Sequence, residues 1–175
     1  DPVKRIFDRF PGISCAPCQL RPESRGSVHA RSADPFDHPA IRPNFLASPH
    51  DRATIVAGLR WGRKILAAPA LAAWRAEEIR PGERIEADDE LLDYARRTGS
   101  TVYHPVGTCR MGTDAQAVVD AELRVHGIGN LRVVDASIMP RLVSGNTNAP
   151  VIMIAEKGAD MIKAAARSAP AARAA

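Results

Sequence analysis

The sequence predicts an α+β fold, in which short strands and helices occupy separate stretches of the chain. Apolar residues recur at helical spacing over 55–66, and a long helix that begins with an apolar run is predicted from about 150. The stretch 27–32 instead alternates apolar and polar residues, as a half-buried strand does. Short apolar runs at 123–125 and 131–134, separated by a turn that contains two glycines, predict further strands.

Composition argues against a nucleic-acid partner and against a transmembrane segment. The chain has 175 residues, of which 45% are hydrophobic and 25% charged, as in an ordinary globular protein. Its net charge is +4, but acidic residues are interleaved with the basic ones, so a nucleic-acid partner is not expected. No apolar stretch reaches the ~18–20 residues of a bilayer span, so no transmembrane segment is expected. A cytoplasmic location is the expectation, with peripheral membrane association left open.

The first third of the chain predicts a β-hairpin. Ile13–Leu20 and Ser27–Ser32 have strand character, and a polar turn lies between them. The stretch 34–43 contains three prolines, which predict an extended connection without regular structure.

Residues typical of helix ends predict three helices. Ser48-Pro49 places an N-cap serine before a first-turn proline, so a helix is predicted from there to about Ala67. A second helix is predicted from Asp88 or Asp89 to about Arg97. Asn148 and Pro150 open a third, extending to about residue 166. The first turns of this third helix are apolar nearly all round, which predicts that they are buried.

The cysteines give weak evidence for a metal. Cys15-Ala-Pro-Cys18 is a single C-x-x-C pair, and no second pair follows at zinc-finger or zinc-ribbon spacing. We therefore expect no metal and interpret the pair as small residues on a half-buried strand. A metal site formed by these two residues with Cys109 and His104 remains a third hypothesis.

Two polar residues are the catalytic candidates. His104 lies between Tyr103 and Pro105, and Asn146 lies in a Gly-Asn-Thr-Asn turn before the apolar helix. Taken singly, a histidine beside an aromatic residue is commonly a hydrogen-bonded core residue. An asparagine in such a turn commonly serves only to form the turn. A functional role is favoured because His104 and Asn146 occur together and each lies within a long, specific stretch of sequence.

Those strings resemble a known family. YHPVGTCRMG, LRVHGIGNLRVVDASIMP and SGNTNAPVIMIAEKGADMI are similar to the C-terminal signature of the glucose–methanol–choline (GMC) flavin-dependent alcohol oxidoreductases. CQLRPESRGSV and SADPFDHPAIRPNFL resemble the choline-dehydrogenase-like branch of bacteria. The resemblance extends from about Cys18 to Ile162, and the motifs occur in the order of the family.

The resemblance implies the C-terminal part of a GMC fold. Residues 1–98 would be part of the antiparallel-sheet substrate-binding domain, and 99–167 the active-site and FAD-contacting segment that completes the FAD domain. Residues 168–175 are predicted to be a disordered tail because they are rich in Ala, Arg and Pro. The Rossmann half, with its G-x-G-x-x-G turn, is missing from this sequence, so we expect a piece of a longer protein. The expected partners are that N-terminal FAD-binding half and a small-molecule alcohol.

The resemblance also implies an activity and its residues. The cofactor would be FAD, and a primary or secondary alcohol would be oxidised to an aldehyde or ketone. His104 would be the base and Asn146 its partner across the substrate. Flavin-contacting roles would fall to Asp135, Ala136, Asn148, Ala149 and Pro150.

Elementary chemistry supports the two catalytic assignments. Hydride leaves an alkoxide carbon more readily than an alcohol carbon, and histidine titrates near neutral pH, so it suits the base. An asparagine amide can donate to the developing oxyanion. The alternative is a non-catalytic fragment or interaction module. The chain alone is expected to be inactive, because it lacks the glycine-rich turn that binds a pyrophosphate.

Overall fold

A computed structural model describes residues 8, 10–74 and 77–168. Within these residues the chain forms a two-stranded antiparallel sheet, three α-helices and two short 3₁₀-helices. The strands are β1 (Ser27–His29) and β2 (Ala40–Arg42), the helices are α1 (Pro49–Leu66), α2 (Asp88–Thr98) and α3 (Asn148–Ser168), and the 3₁₀-helices are Pro69–Leu71 and Ala136–Ile138. The predicted α+β class is confirmed.

The chain divides into two compact units. The first consists of Asp1–Gln19 and Phe45–Ser100, and it contains α1 and α2. The second consists of Leu20–Asn44 and Thr101–Ala175, and it contains the sheet and α3. All candidate catalytic and flavin-contacting residues belong to the second unit.

In the first unit, α1 begins as its end signal predicts. Ser48 has an extended backbone, and its Oγ accepts a hydrogen bond from the backbone N–H of His50 at 3.2 Å. This bond satisfies one of the amides that a helix start leaves without an intrahelical partner.

The start of α2 uses a different residue from the one predicted. The N-cap residue is Ala87 rather than Asp88 or Asp89. The backbone N–H of Ala87 donates to the carboxylate of Glu90 at 3.2 Å. Gly99 ends the helix, as predicted. Helices α1 and α2 pack against each other, and Leu91 is fully buried.

The predicted hairpin is wrong. Ile13–Leu20 forms no strand, and β1 pairs instead with β2, which lies in the proline-rich stretch expected to be a connection. Val28 lies opposite Ile41 in the register. Gly26 permits the pairing, since a Cβ there would lie 2.1 Å from the carbonyl oxygen of Arg42.

The core of the second unit is apolar and draws on separate segments. Its buried residues are Val119, Leu123, Ile138, Met139 and Ile154. The runs 123–125 and 131–134, predicted as strands, are paired antiparallel at a single bridge between Arg124 and Arg132 rather than as full strands.

Helix α3 has the predicted start but not the predicted burial. Ile154 is buried, whereas Ile152 and Met153 are 55% and 59% exposed, so the described residues leave one side of the first turns uncovered. Of the expected tail, only Ser168 is described, as the last residue of α3; the remainder lies outside the described residues. Across residues 8, 10–74 and 77–168, no helix combines the length and the apolar character that crossing a bilayer requires.

Helix α3 lies so close to the core that Gly158 has no room for a side chain. A Cβ at this position would lie 2.5 Å from Cγ1 of Val134, a β-branched and therefore stiff side chain. We expect Gly158→Ala to lower the thermal unfolding midpoint, because overpacking costs ~1–3 kcal/mol and exceeds the helix-propensity gain of up to ~1 kcal/mol.

The matched control is the double variant Gly158→Ala/Val134→Ala. Removing the Cγ atoms of Val134 makes room for the new methyl group, so the double variant should lose less stability than the sum of the two single losses. Strictly additive losses would contradict the close contact.

A second prediction concerns acid stability at the turn between the buried residues Val119 and Leu123. Oδ1 of Asp120 accepts from the backbone N–H of Glu122 at 2.8 Å and of Arg124 at 2.9 Å, and its Oδ2 accepts from the Arg124 guanidinium. The backbone N–H of Arg124, aided by that guanidinium, lowers the pKa of Asp120 below its ordinary value of 3.8.

Because the folded-state pKa is depressed, this stabilisation is fully present above the ordinary pKa and is lost as the pH falls through the folded value. We expect the denaturant midpoint of the wild type to fall as the pH drops from about 4 downward, and that of Asp120→Asn to fall less. Parallel curves for the two proteins would contradict this assignment.

Candidate active site

The candidate site is built on a hydrogen bond between a histidine and a threonine. Nδ1 of half-buried His104 lies 2.8 Å from Oγ1 of Thr147. Thr147 is only 7% exposed, so the hydroxyl side of this pair is enclosed by protein. Either the ring N–H donates to the hydroxyl or the hydroxyl donates to the ring nitrogen, according to the tautomer.

The threonine is held by the helix that follows it. Its carbonyl oxygen accepts from the backbone N–H of Val151 at 3.0 Å, so Thr147 is the N-cap residue of α3. A buried residue whose backbone begins a 21-residue helix is a rigid support for the imidazole.

The residues on either side of Thr147 face solvent in this chain. Asn146, Asn148 and Ala149 are exposed, and Pro150 is half-buried. The first turn of α3 contains no acidic residue. The positive end of the helix dipole is therefore not neutralised by a side chain of its own first turn, and it can favour a negative group nearby.

The segment that contains His104 is fixed along its length to the segment 136–139. The backbone N–H of Cys109 donates to the Ser137 carbonyl at 3.0 Å, and that of Met111 donates to the Ile138 carbonyl at 2.8 Å. Gly107 has φ of 89°, and a Cβ there would lie 3.3 Å from the Met139 carbonyl oxygen. These contacts explain why the strings around residues 103–112 and 123–140 belong to one structural unit.

The residue before the histidine has an uncommon backbone conformation. Tyr103 has φ of 61°, in the left-handed region that a bulky side chain rarely occupies. Its backbone N–H donates to Oγ1 of Thr101 at 3.0 Å. Such a conformation costs roughly 1–3 kcal/mol and persists where the surroundings hold it, so the direction in which the chain enters His104 is fixed.

Asp135 and Ala136 lie in a short 3₁₀ turn that packs against α3. Oδ1 of Asp135 accepts from the backbone N–H and the hydroxyl of Ser137, at 2.8 and 2.5 Å. The aspartate side chain is exposed, Ala136 is half-buried, and the 3₁₀-helix Ala136–Ile138 contacts α3. The Asp135 carboxylate thus caps the turn.

The structure adds one residue to the candidates predicted from the sequence. His104 and Asn146 lie at the same turn because His104 bonds to the residue that follows Asn146. Thr147 was not predicted as part of the site. The available signal was a threonine in the N-cap position of an apolar helix, which ordinarily bonds to its own helix rather than to a distant side chain.

The cysteine pair does not lie on a strand. Cys15 and Cys18 are exposed and Cys109 is half-buried, and all three are free thiols. Among the residues that the structure describes, no group of three or more histidine, cysteine or acidic side chains is close enough to hold a metal ion.

The sequence of the chain matches a family of oxidoreductases. Residues 22–155 match the family model described as GMC oxidoreductase, at its C-terminal domain. The chain belongs to the GMC oxidoreductase family, and the fold class predicted from its motifs is confirmed.

Characterised relatives support this membership. The chain is 53% identical over 145 residues to an alcohol dehydrogenase [acceptor] from Pseudomonas putida, covering 83% of this chain and 26% of that protein. It is 47% identical over 152 residues to an oxygen-dependent choline dehydrogenase from Escherichia coli O45:K1, covering 87% of this chain and 27% of that protein. The chain thus spans about a quarter of the length of these relatives.

Solved structures agree. Pyridoxine 4-oxidase from Mesorbium loti superposes with a TM-score of 0.79 at 41% identity, covering 83% of this chain and 28% of that one. An FAD-dependent oxidoreductase from Chaetomium thermophilum gives a TM-score of 0.80 at 33% identity, covering 86% and 26% respectively.

Proposed function

We propose that this chain is the alcohol-activating part of an FAD-dependent oxidoreductase that converts a primary or secondary alcohol to an aldehyde or ketone. The observation that carries the proposal is the 2.8 Å contact between His104 and Thr147, which joins a histidine to the turn that contains Asn146. The alcohol and choline dehydrogenases among its relatives support the class of substrate.

His104 is the proton acceptor in this proposal. Its Nδ1 is engaged by Thr147, which leaves Nε2 as the nitrogen available to the hydroxyl of a substrate. The alcohol O–H bond breaks as an N–H bond forms on the imidazole, which leaves an alkoxide. Hydride then departs readily from the carbon that bears the alkoxide oxygen. A base in position contributes typically ~10²–10⁴ in rate.

Asn146 serves as the hydrogen-bond donor to the same oxygen. Its amide carries two N–H donors and does not titrate, so it can stabilise negative charge on the alkoxide without competing for the proton. Its exposed position beside Thr147 is compatible with a group that contacts a substrate.

The residues near the start of α3 fit a flavin. The exposed Asn148 and Ala149 and the half-buried Pro150 form a helix end free of acidic side chains in its first turn, and such an end favours an electron-rich group. Asp135 and Ala136 would hold the ribityl and pyrophosphate chain from the adjoining 3₁₀ turn. FAD, when bound, supplies the hydride acceptor.

The exposed side of α3 indicates where the remainder of the flavoprotein would lie. Ile152 and Met153 follow directly after the proposed flavin-contacting residues, and both are more than half exposed. This chain leaves about three quarters of the length of its relatives unmatched. We infer that the unmatched part contains the dinucleotide-binding half and that this half covers Ile152 and Met153. That half would also supply the glycine-rich turn for the pyrophosphate.

The role of the histidine is testable in the intact flavoprotein. His104→Ala should slow anaerobic flavin reduction by an alcohol by ~10² or more, because the hydroxyl proton loses its acceptor. Flavin content, read from the absorption spectrum, should be retained. Stopped-flow absorbance at the flavin band measures the rate.

The matched control is His126→Ala. His126 belongs to the same unit and its Nε2 also has a hydrogen-bond partner, the carbonyl oxygen of Gly112 at 3.1 Å, but it is not part of the proposed site. Its reduction rate should equal that of the wild type. Equal rates for wild type and His104→Ala would remove the histidine from the mechanism.

The asparagine assignment predicts a loss of rate with an unchanged pH profile. Asn146→Ala should slow flavin reduction by about 10²–10³, the cost of one lost oxyanion donor. Asn146→Asp should slow it further, because a carboxylate repels the developing alkoxide. A displaced pH profile without a loss of rate would rule out this role.

A further inference from the structure

We infer that Thr147 is a positioning residue that keeps the proton of His104 on Nδ1, so that Nε2 is held bare as the base. The inference rests on the proposed function, because it assumes that His104 accepts the substrate proton. What it adds is the tautomer, the group that selects it, and the reason for a threonine at the start of α3.

The contact is suited to orienting the ring. At 2.8 Å the Nδ1 to Oγ1 separation is that of a well-formed hydrogen bond. Thr147 is almost fully buried, and its carbonyl is already bonded to Val151 in the first turn of α3. The backbone of Thr147 cannot move without disturbing that turn.

The threonine hydroxyl is thereby used in an unusual way. A threonine at an N-cap ordinarily turns its oxygen to the N–H groups of its own helix. Here the hydroxyl oxygen is within hydrogen-bond distance of an imidazole 43 residues earlier in the chain. The interaction joins two of the three long sequence motifs between residues 103 and 162, the first and the third.

Only one direction of this bond is compatible with a base. If the Thr147 hydroxyl donated to Nδ1, the neutral ring would carry its proton on Nε2, and no nitrogen could accept the substrate proton. If Nδ1–H donates to Oγ1, the Nε2 lone pair is free. Proton transfer then breaks the alcohol O–H bond and forms the Nε2–H bond, while the Nδ1–H donor stays in place.

This arrangement also couples the base to the oxyanion donor. Asn146 and Thr147 are consecutive, so the turn that presents the amide also holds the imidazole. Tyr103, with its φ of 61°, directs the chain into His104 from the other side. The imidazole is therefore constrained both through its own backbone and through a side-chain bond.

The test uses two substitutions in the intact flavin-loaded enzyme. Thr147→Val has nearly the same shape but lacks the hydroxyl, and it should slow flavin reduction by about 10- to 100-fold, as loss of an orienting partner does. Thr147→Ser keeps the hydroxyl and loses only a methyl group, and it should restore the rate to within a few-fold of wild type. If the valine variant retains no flavin, Thr147→Ala removes the same hydroxyl and takes its place.

A second measurement reports the tautomer without turnover. The ¹⁵N spectrum of histidine-labelled enzyme, recorded without substrate, distinguishes protonated from bare ring nitrogens, and comparison with His104→Gln identifies the His104 signals. We expect a protonated Nδ1 and a bare Nε2 in the wild type and in Thr147→Ser. In Thr147→Val the two tautomers should mix.

The outcomes separate this inference from the proposed function. If His104→Ala reduces flavin as fast as wild type, the proposed function fails. If His104→Ala is slow but Thr147→Val retains both the rate and the tautomer of the wild type, this inference alone is overturned. Equal losses in the valine and serine variants with an unchanged tautomer would show that Thr147 supports only the packing, which also overturns it.

Discussion

The hydrogen bond between His104 and Thr147 is the constraint on which the site depends. It joins a loop whose direction is set by Tyr103 to a helix whose direction is set by the core. The helix is fixed because Ile154 is buried in that core and Gly158 lies against Val134. Packing some distance away along α3 therefore fixes the residue to which the imidazole is hydrogen-bonded.

The same helix has two different faces. Ile154 and Gly158 are buried within the unit, while Ile152 and Met153 are exposed immediately after the residues that we propose contact the flavin. An apolar surface next to the turn that contains Asn146 is unfavourable to leave in water, and it suits a partner segment that would cover it. We therefore propose that this chain activates the alcohol and that another segment holds the pyrophosphate.

The sequence was informative where structure depends on local signals. The starts of α1 and α3 were predicted because an N-cap or a first-turn proline acts within a few residues. The hairpin was predicted wrongly because alternation identifies a strand without identifying its partner. β1 pairs with β2 across a stretch whose prolines flank the three-residue strand rather than interrupt it.

The candidate site likewise was predicted only where the sequence carries a local pattern. His104 and Asn146 were predicted because long strings surround them, and their roles stay predictions. Thr147 escaped notice, because a contact across 43 residues leaves no local pattern and a threonine before a helix already has an ordinary explanation. Apolar composition alone predicted that the first turns of α3 are buried, yet Ile152 and Met153 are exposed in this chain, because burial of an apolar helix depends on which other segments cover it.

The most direct test of the account is reduction of the enzyme-bound flavin by an alcohol in the absence of oxygen. The intact flavoprotein is mixed with a primary alcohol carrying either hydrogen or deuterium on its hydroxyl-bearing carbon, and the flavin absorbance is followed in time. We predict complete bleaching, which is slower with the deuterated alcohol. A flavin that stays oxidised with primary and secondary alcohols alike would contradict it.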